Sequence, residues 1–306
     1  MFSVGLAMDL RARLASLSIK PWSLGDQWEA LHEPDQPGKD WGLSFPTELY
    51  CQIFDRQFPQ VSKNKWNARE KCYVTYFRGI SDEDLASVRT FVDAIRPYVV
   101  IKDLTDGSMA LAFRAAIGAS GDLEATDVGR LMRAAKPYNE APNKDHRRAG
   151  TALACRLCAL VEAMPLYRDV YGFVAITCAG SKKFSLPRGF AYELARRTGK
   201  ANLSEAVTKT KLTPELKNLS LADKLEAILG SVTVDKAKVA GKSIVVVDDL
   251  YQSGLTINYV AEELRLAGAR EVFGLAAVKT LSNVDNLPKS TVPPQTGDDG
   301  DDEILF

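Results

Sequence analysis

The sequence predicts an α/β protein. Its C-terminal half should form a doubly wound, mostly parallel sheet, and an additional α/β or α+β unit should precede it. Three observations carry this. From about residue 150, helix-period and strand-period segments alternate. The run Ile244, Val245, Val246, Val247 is continuously apolar, as a strand buried on both faces requires. The chain has 306 residues, enough for about two domains.

The elements follow in order. The first 17 residues read as an amphipathic helix. Residues 20–70 look irregular and hold all four tryptophans, Trp22, Trp28, Trp41 and Trp66, which are expected in the core. A strand is expected at 72–77. A helix is expected at 81–95, where Ser81 stands as N-cap before an acidic first turn. Another strand is expected at 98–104, and a helix at 108–117. The small, polar stretch 118–127 reads as a boundary. A helix then covers 150–163, a strand 171–177 and a helix 189–199. A polar, lysine-rich stretch runs through 200–230. Strand 242–249, helix 256–268 and strand 271–280 complete the pattern. Strand–helix–strand units of this spacing imply parallel strands.

Composition narrows the function classes. The chain is 46% hydrophobic and 25% charged, which excludes collagen, a disulfide miniprotein and a wholly disordered chain. No apolar run approaches the roughly 20 residues that cross a bilayer. Asp9 and Arg11 interrupt the N-terminus too early for a secretory signal, so a cytoplasmic setting and no membrane partner are expected. The five cysteines, Cys51, Cys72, Cys155, Cys158 and Cys178, are irregularly spaced, which argues for reduced thiols. Cys155 and Cys158 form a CxxC inside a helical pattern with no second ligand pair, and are expected as packing residues. The net charge is zero but uneven: −4 over 1–129, +9 over 130–200, and −5 over 296–306. A locally positive field suits phosphates, on a small molecule or on nucleic acid.

Chemistry concentrates at 244–256, IVVVDDLYQSGLT. A buried strand ends in two carboxylates, Asp248 and Asp249. Ligands of open parallel sheets bind at that carboxyl edge. A short loop with Ser253, Gly254 and Thr256 then opens into a helix, whose N-terminal N–H groups and dipole attract anions. Carboxylates repel phosphate, so they should face hydroxyls or a divalent cation. A phosphorylated sugar fits both halves.

This segment resembles the phosphoribosyl-pyrophosphate signature of type I phosphoribosyltransferases: four hydrophobics, two acids, three variable residues, then Thr/Ser-Gly-x-Thr. Residues 175–197 and 216–234 are similar to the competence protein F-like branch of that family, and 134–157 to its basic lead-in helix. The zinc-binding cysteine cluster of many competence-type proteins is absent. The resemblance covers 130–282 and implies a phosphoribosyltransferase-like domain at 126–285. It leaves 1–125 as an N-terminal domain without an assigned role and 286–306 as a flexible acidic tail.

The resemblance also implies roles. Asp248 and Asp249 bind the ribose hydroxyls and act as catalytic residues with Lys182. Leu250, Tyr251, Gln252, Ser253, Gly254, Leu255 and Thr256 cradle the 5′-phosphate. Gly180, Ser181, Lys182 and Lys183 contact the pyrophosphate, and Lys217 and Lys224 close over it from a flexible loop. Mg²⁺ is held indirectly, with Asp248 and Asp249 reaching it through the ligand. The implied reaction is displacement at ribose C1 through an oxocarbenium-like transition state, transferring the phosphoribosyl group to an unidentified acceptor. Two departures stand out. Leu250, Tyr251 and Gln252 include no general base, and Leu255 replaces a small residue. The alternative is a non-catalytic, phosphoribosyl-pyrophosphate- or nucleotide-sensing or nucleic-acid-associated protein, with a competence or defence role. Nucleic acid and a second copy of the chain stay open as partners.

Overall fold

The computed structural model describes residues 4–24, 31–32, 41–137, 142–176, 185–211 and 219–281. Expectations for Trp28, Cys178 and the tail 286–306 lie outside them.

The first part of the chain forms α1 (Val4–Ala15), β1 (Lys20–Trp22), β2 (Leu31–His32), β3 (Trp41–Phe45), α2 (Glu48–Gln57), β4 (Val61–Asn67), β5 (Cys72–Phe77) and α3 (Asp82–Ile95). Helix α3 starts where its sequence directs. Ser81 Oγ accepts the Asp84 N–H at 3.1 Å, and the Asp84 carboxylate accepts the Ser81 N–H at 3.3 Å, closing a capping box. Next come β6 (Val99–Lys102), β7 (Ser108–Phe113), β8 (Ala115–Ile117), β9 (Leu123–Ala125), α4 (Asp127–Ala135) and α5 (Lys144–Ala163). The last third supplies β10 (Gly172–Ala175), α6 (Leu186–Thr198), β11 (Ala201–Asn202), β12 (Val207–Lys209), α7 (Leu221–Ile228), β13 (Val232–Val234), α8 (Lys236–Val239), β14 (Ser243–Tyr251), α9 (Leu255–Leu266) and β15 (Glu271–Lys279).

One seven-stranded sheet organises the molecule, in the order β1-β6-β7-β15-β14-β10-β11. β7, β15, β14, β10 and β11 run parallel, while β6 is antiparallel to both its neighbours. The fold class expected from the sequence is therefore present. β14 lies between β10 and β15, and its side chains alternate between two cores. Val245 and Val247 join the cluster under α5 and α6. Ile244 and Val246 join the one under α1, α7 and α9. Each is fully buried, and each such side chain contributes about 1.5–3 kcal/mol.

Two expectations change. Residues 108–117 form β7 and β8 rather than a helix. β7 pairs in parallel with β15, Met109 opposite Leu275 and Ala110 opposite Ala276. An apolar run this short has no period that separates a buried strand from a helix, and tertiary pairing decides. The expected boundary near 125 also does not separate two sheets. β1, β6 and β7 from the first part lie in the same sheet as β10, β11, β14 and β15. What the first part adds on its own is a four-stranded antiparallel sheet, β2-β3-β5-β4. Phe45, Phe54, Phe58, Phe77 and Phe91 cluster beside it, in a core that runs on to Phe173 and Phe273. Trp22 and Trp41 pack against that core, but Trp66 is half exposed against Tyr73. Cys51, Cys72, Cys155 and Cys158 are free thiols.

Candidate functional site

The carboxyl edge of the sheet is where β14 delivers its paired acids. Asp248 and Asp249 are the first residues of the strand to emerge from full burial. The Asp249 N–H donates to Asp248 Oδ1 at 2.7 Å, and the Lys136 ammonium lies 3.1 Å from Asp249 Oδ2. The Asp248 carboxyl is pushed well above the usual carboxylate range. Burial is the main cause and the adjacent Asp249 charge the next, with the Asp249 N–H and Lys136 opposing them. Two like charges side by side at a sheet edge are costly unless something polar faces them.

The strand then turns into α9 through Gly254, which has φ +71° and caps the helix without a side-chain hydrogen bond. Only glycine fits. A Cβ there would lie 2.3 Å from the Tyr251 hydroxyl, and the backbone is left-handed. Ser253 Oγ accepts the Leu255 N–H at 3.4 Å. Gln252, Ser253 and Thr256 are partly exposed around the turn. The result is a shallow cup of backbone N–H groups and hydroxyls at a helix N-terminus, beside two carboxylates. Free N–H groups at a helix N-terminus can hold a phosphate, and carboxylates can accept hydroxyl protons.

Leu255 is buried in the core on the α9 side rather than in the cup. Tyr251 is also buried. Its phenol is held well above its ordinary pKa, by burial first and by Asp103 next. It donates to Asp103 Oδ2 at 2.6 Å, so it faces inward. Leu250 packs against the opposite core.

Strand β10 brings the chain to the same edge. Ile176 N–H donates to Val247 O at 3.0 Å, directly before Asp248. Gly180, Ser181, Lys182 and Lys183 follow in sequence and lie outside the described residues, as does Lys217. Lys224 differs from expectation: it sits on helix α7 and is 4% exposed, not on an open loop. Packing of Leu225 and Ile228 into the core holds that helix in place. The ribbon β12–β13 brackets this region, with Val207 opposite Val234.

Sequence reasoning missed three residues. Lys136 was legible only as part of the basic block, and it reaches Asp249 because α4 ends there. Asp103 and Asn258 act across 148 and 155 positions of sequence, which no local pattern signals. Most of the basic block is elsewhere: Arg147 and Arg148 are exposed on α5, and Arg196 and Arg197 pair with Glu193 on α6. Among the described residues, no group of three or more His, Cys, Asp or Glu is placed to hold a metal ion. No described helix is long and apolar enough to cross a membrane.

Part of the chain matches a known domain family. No curated protein matches the chain. Two solved structures align at 16% identity over 78% of this chain: one titled the allosteric regulatory enzyme of purine biosynthesis, the other a glutamine phosphoribosylpyrophosphate amidotransferase from B. subtilis complexed with ADP and GMP. Their TM-scores are 0.31 and 0.32, and the alignments span 45% and 46% of those chains, so this chain matches about half the length of each. Residues 185–291, which contain the paired acids and the cup, match the phosphoribosyl transferase domain family.

Proposed function

We propose that the protein binds 5-phosphoribosyl pyrophosphate at the carboxyl edge of β14 and transfers its phosphoribosyl group to an acceptor, releasing pyrophosphate. One observation carries the reading: Asp248 and Asp249 stand near the carboxyl end of a central parallel strand, and a left-handed glycine, Gly254, opens a helix a short turn later. Family similarity over 185–291 supports the same reaction class. In this reading Asp248 and Asp249 accept the ribose 2′- and 3′-hydroxyl protons, and the 252–256 turn receives the 5′-phosphate. Hydroxyl donors on the ligand would oppose the burial that raises the Asp248 pKa and draw the group to its carboxylate form. Lys136 is close enough to Asp249 to follow the ligand, and Lys182 and Lys183 are assigned to the pyrophosphate. The similarity of 175–197 and 216–234 to the competence protein F-like branch is part of this proposal.

A Mg²⁺ ion fits the donor set only as a group carried by the ligand, since the two carboxylates Asp248 and Asp249 are hard oxygen donors but no group of three or more His, Cys, Asp or Glu among the described residues is placed to hold an ion. When bound it supplies positive charge where negative charge builds on the departing pyrophosphate.

The acceptor must bring its own acidity or nucleophilicity, because Leu250 and Gln252 carry no base and the Tyr251 phenol is turned inward. That observation also favours a second reading, a protein that binds the sugar phosphate without turnover. A mass-spectrometric screen with bases, nucleosides and RNA as acceptors separates the two. Transfer predicts pyrophosphate release that depends on one acceptor class. Tight binding with no release for any acceptor supports the second reading against the first.

A further inference from the structure

The phosphate cup belongs to β14 and α9, but its shape is set from the first third of the chain. The turn between β6 and β7 carries Asp103, and five donors converge on its two oxygens. Oδ1 accepts the Thr105 N–H at 2.8 Å and the Thr105 hydroxyl at 2.6 Å. Oδ2 accepts the Ser108 hydroxyl at 2.7 Å, the Tyr251 hydroxyl at 2.6 Å and the Asn258 amide at 3.4 Å. Asn258 is fully buried. Its Nδ2 also donates to Gly254 O at 2.8 Å and to the Tyr251 oxygen at 3.2 Å, while its Oδ1 accepts the Leu104 N–H at 2.8 Å. Ser108, Tyr251 and Asn258 are buried and Asp103 and Thr105 partly buried, so the hydrogen bonds among them are shielded from bulk water on the Tyr251 and Asn258 side. The neighbouring strand makes room for the arrangement: a Cβ at Gly274 would lie 2.1 Å from Ser108 Oγ.

The consequence falls on Gly254. The Tyr251 ring lies directly beneath it, and Asn258 grips its carbonyl. With Asp103 in place, both partners have one position. Without it, the buried Tyr251 phenol loses its acceptor and must seek another, and the Asn258 amide is left with Gly254 O and the displaced phenol oxygen. The turn from Tyr251 to Gly254 would then no longer be held in one geometry.

We propose that Asp103 is a positioning residue for the phosphate cup, acting through Tyr251 and Asn258 on the backbone of Gly254. It makes the site a joint product of the two halves of the chain. Its effect on substrate rests on the phosphoribosyl reading above, whereas its effect on the loop does not.

Two measurements on the full chain test this, amide hydrogen exchange in the free protein and calorimetric titration with phosphoribosyl pyrophosphate. Asp103→Ala and Tyr251→Phe should each speed exchange at the bonded amides of the turn, Leu255 and Asn258, whose N–H groups donate to Ser253 Oγ and Gly254 O, by about tenfold or more, the scale of losing one hydrogen bond to a charged acceptor. Amides of β10 and of residues 244–247 should keep their protection. The double variant should exchange no faster than the faster single one, because both act on one link. Affinity for the ligand should fall about tenfold in each single variant. Unchanged loop exchange, equal loss of protection in the core strands, or additive effects in the double variant would overturn the proposal. If Asp103→Ala does not fold, Tyr251→Phe alone decides by the same contrast of loop and core. A wild type that does not bind the ligand overturns the phosphoribosyl reading, and exchange still decides the positioning role. Loosened loops with unchanged affinity overturn the effect on substrate.

Discussion

At Asp248 the protein holds a carboxylate where water is scarce and a second carboxylate adjoins. The folded pKa lies above the unfolded value of about 3.9. Below that value neither state is ionised and folding carries no penalty. As pH rises through the folded pKa, the folded protein must ionise a partly buried group beside a like charge that the unfolded chain ionises freely, so stability without ligand falls. Thermal melts at about pH 5 and about pH 8.5 check this: the wild type should lose stability across the interval, and Asp248→Asn should lose less. A variant that loses as much as the wild type across the interval would contradict it. Gly254 makes a complementary case. Its left-handed backbone and its contact with Tyr251 mean that Gly254→Ala should cost about 1–3 kcal/mol, read by urea denaturation. A cost near zero would show that the cup tolerates a side chain. These two residues were legible because their chemistry is local, an acid pair and a glycine in one short run. Lys136 and Asp103 were not, because only folding brings them there.

Among elements, the parallel strands and their helices were the most legible. The residues of β14 and β15 are buried on both faces and therefore read as unbroken apolar runs. The boundaries of α3 and α6 were legible through Ser81 and through Gly199, which ends α6 with φ +70°. The strand β7 was not legible. Met109, Ala110 and Leu111 are good helix formers, and what makes them a strand is a partner 166 residues away, Leu275 opposite Met109. The same pairing makes β15 a load shared by both halves. Leu275→Ala should cost about 2–5 kcal/mol in chemical denaturation, with one cooperative transition rather than two. A two-step transition in which residues 1–125 stay folded would contradict the shared core.

For the molecule as a whole, the domain plan was the hardest feature to read. A composition shift near residue 118 marks only the β8–β9 hairpin, while β1, β6 and β7 complete the central sheet. Sheet membership is a long-range property, so no local punctuation encodes it. The functional expectation at this scale is that the first half of the chain is part of the site's foundation rather than an appended module. The paired acids remain the centre of the account. Calorimetric titration of phosphoribosyl pyrophosphate into the wild type and into the Asp248→Asn, Asp249→Asn double variant tests them most directly. The account predicts saturable binding by the wild type and none by a folded double variant. Equal affinity in the two proteins would contradict it.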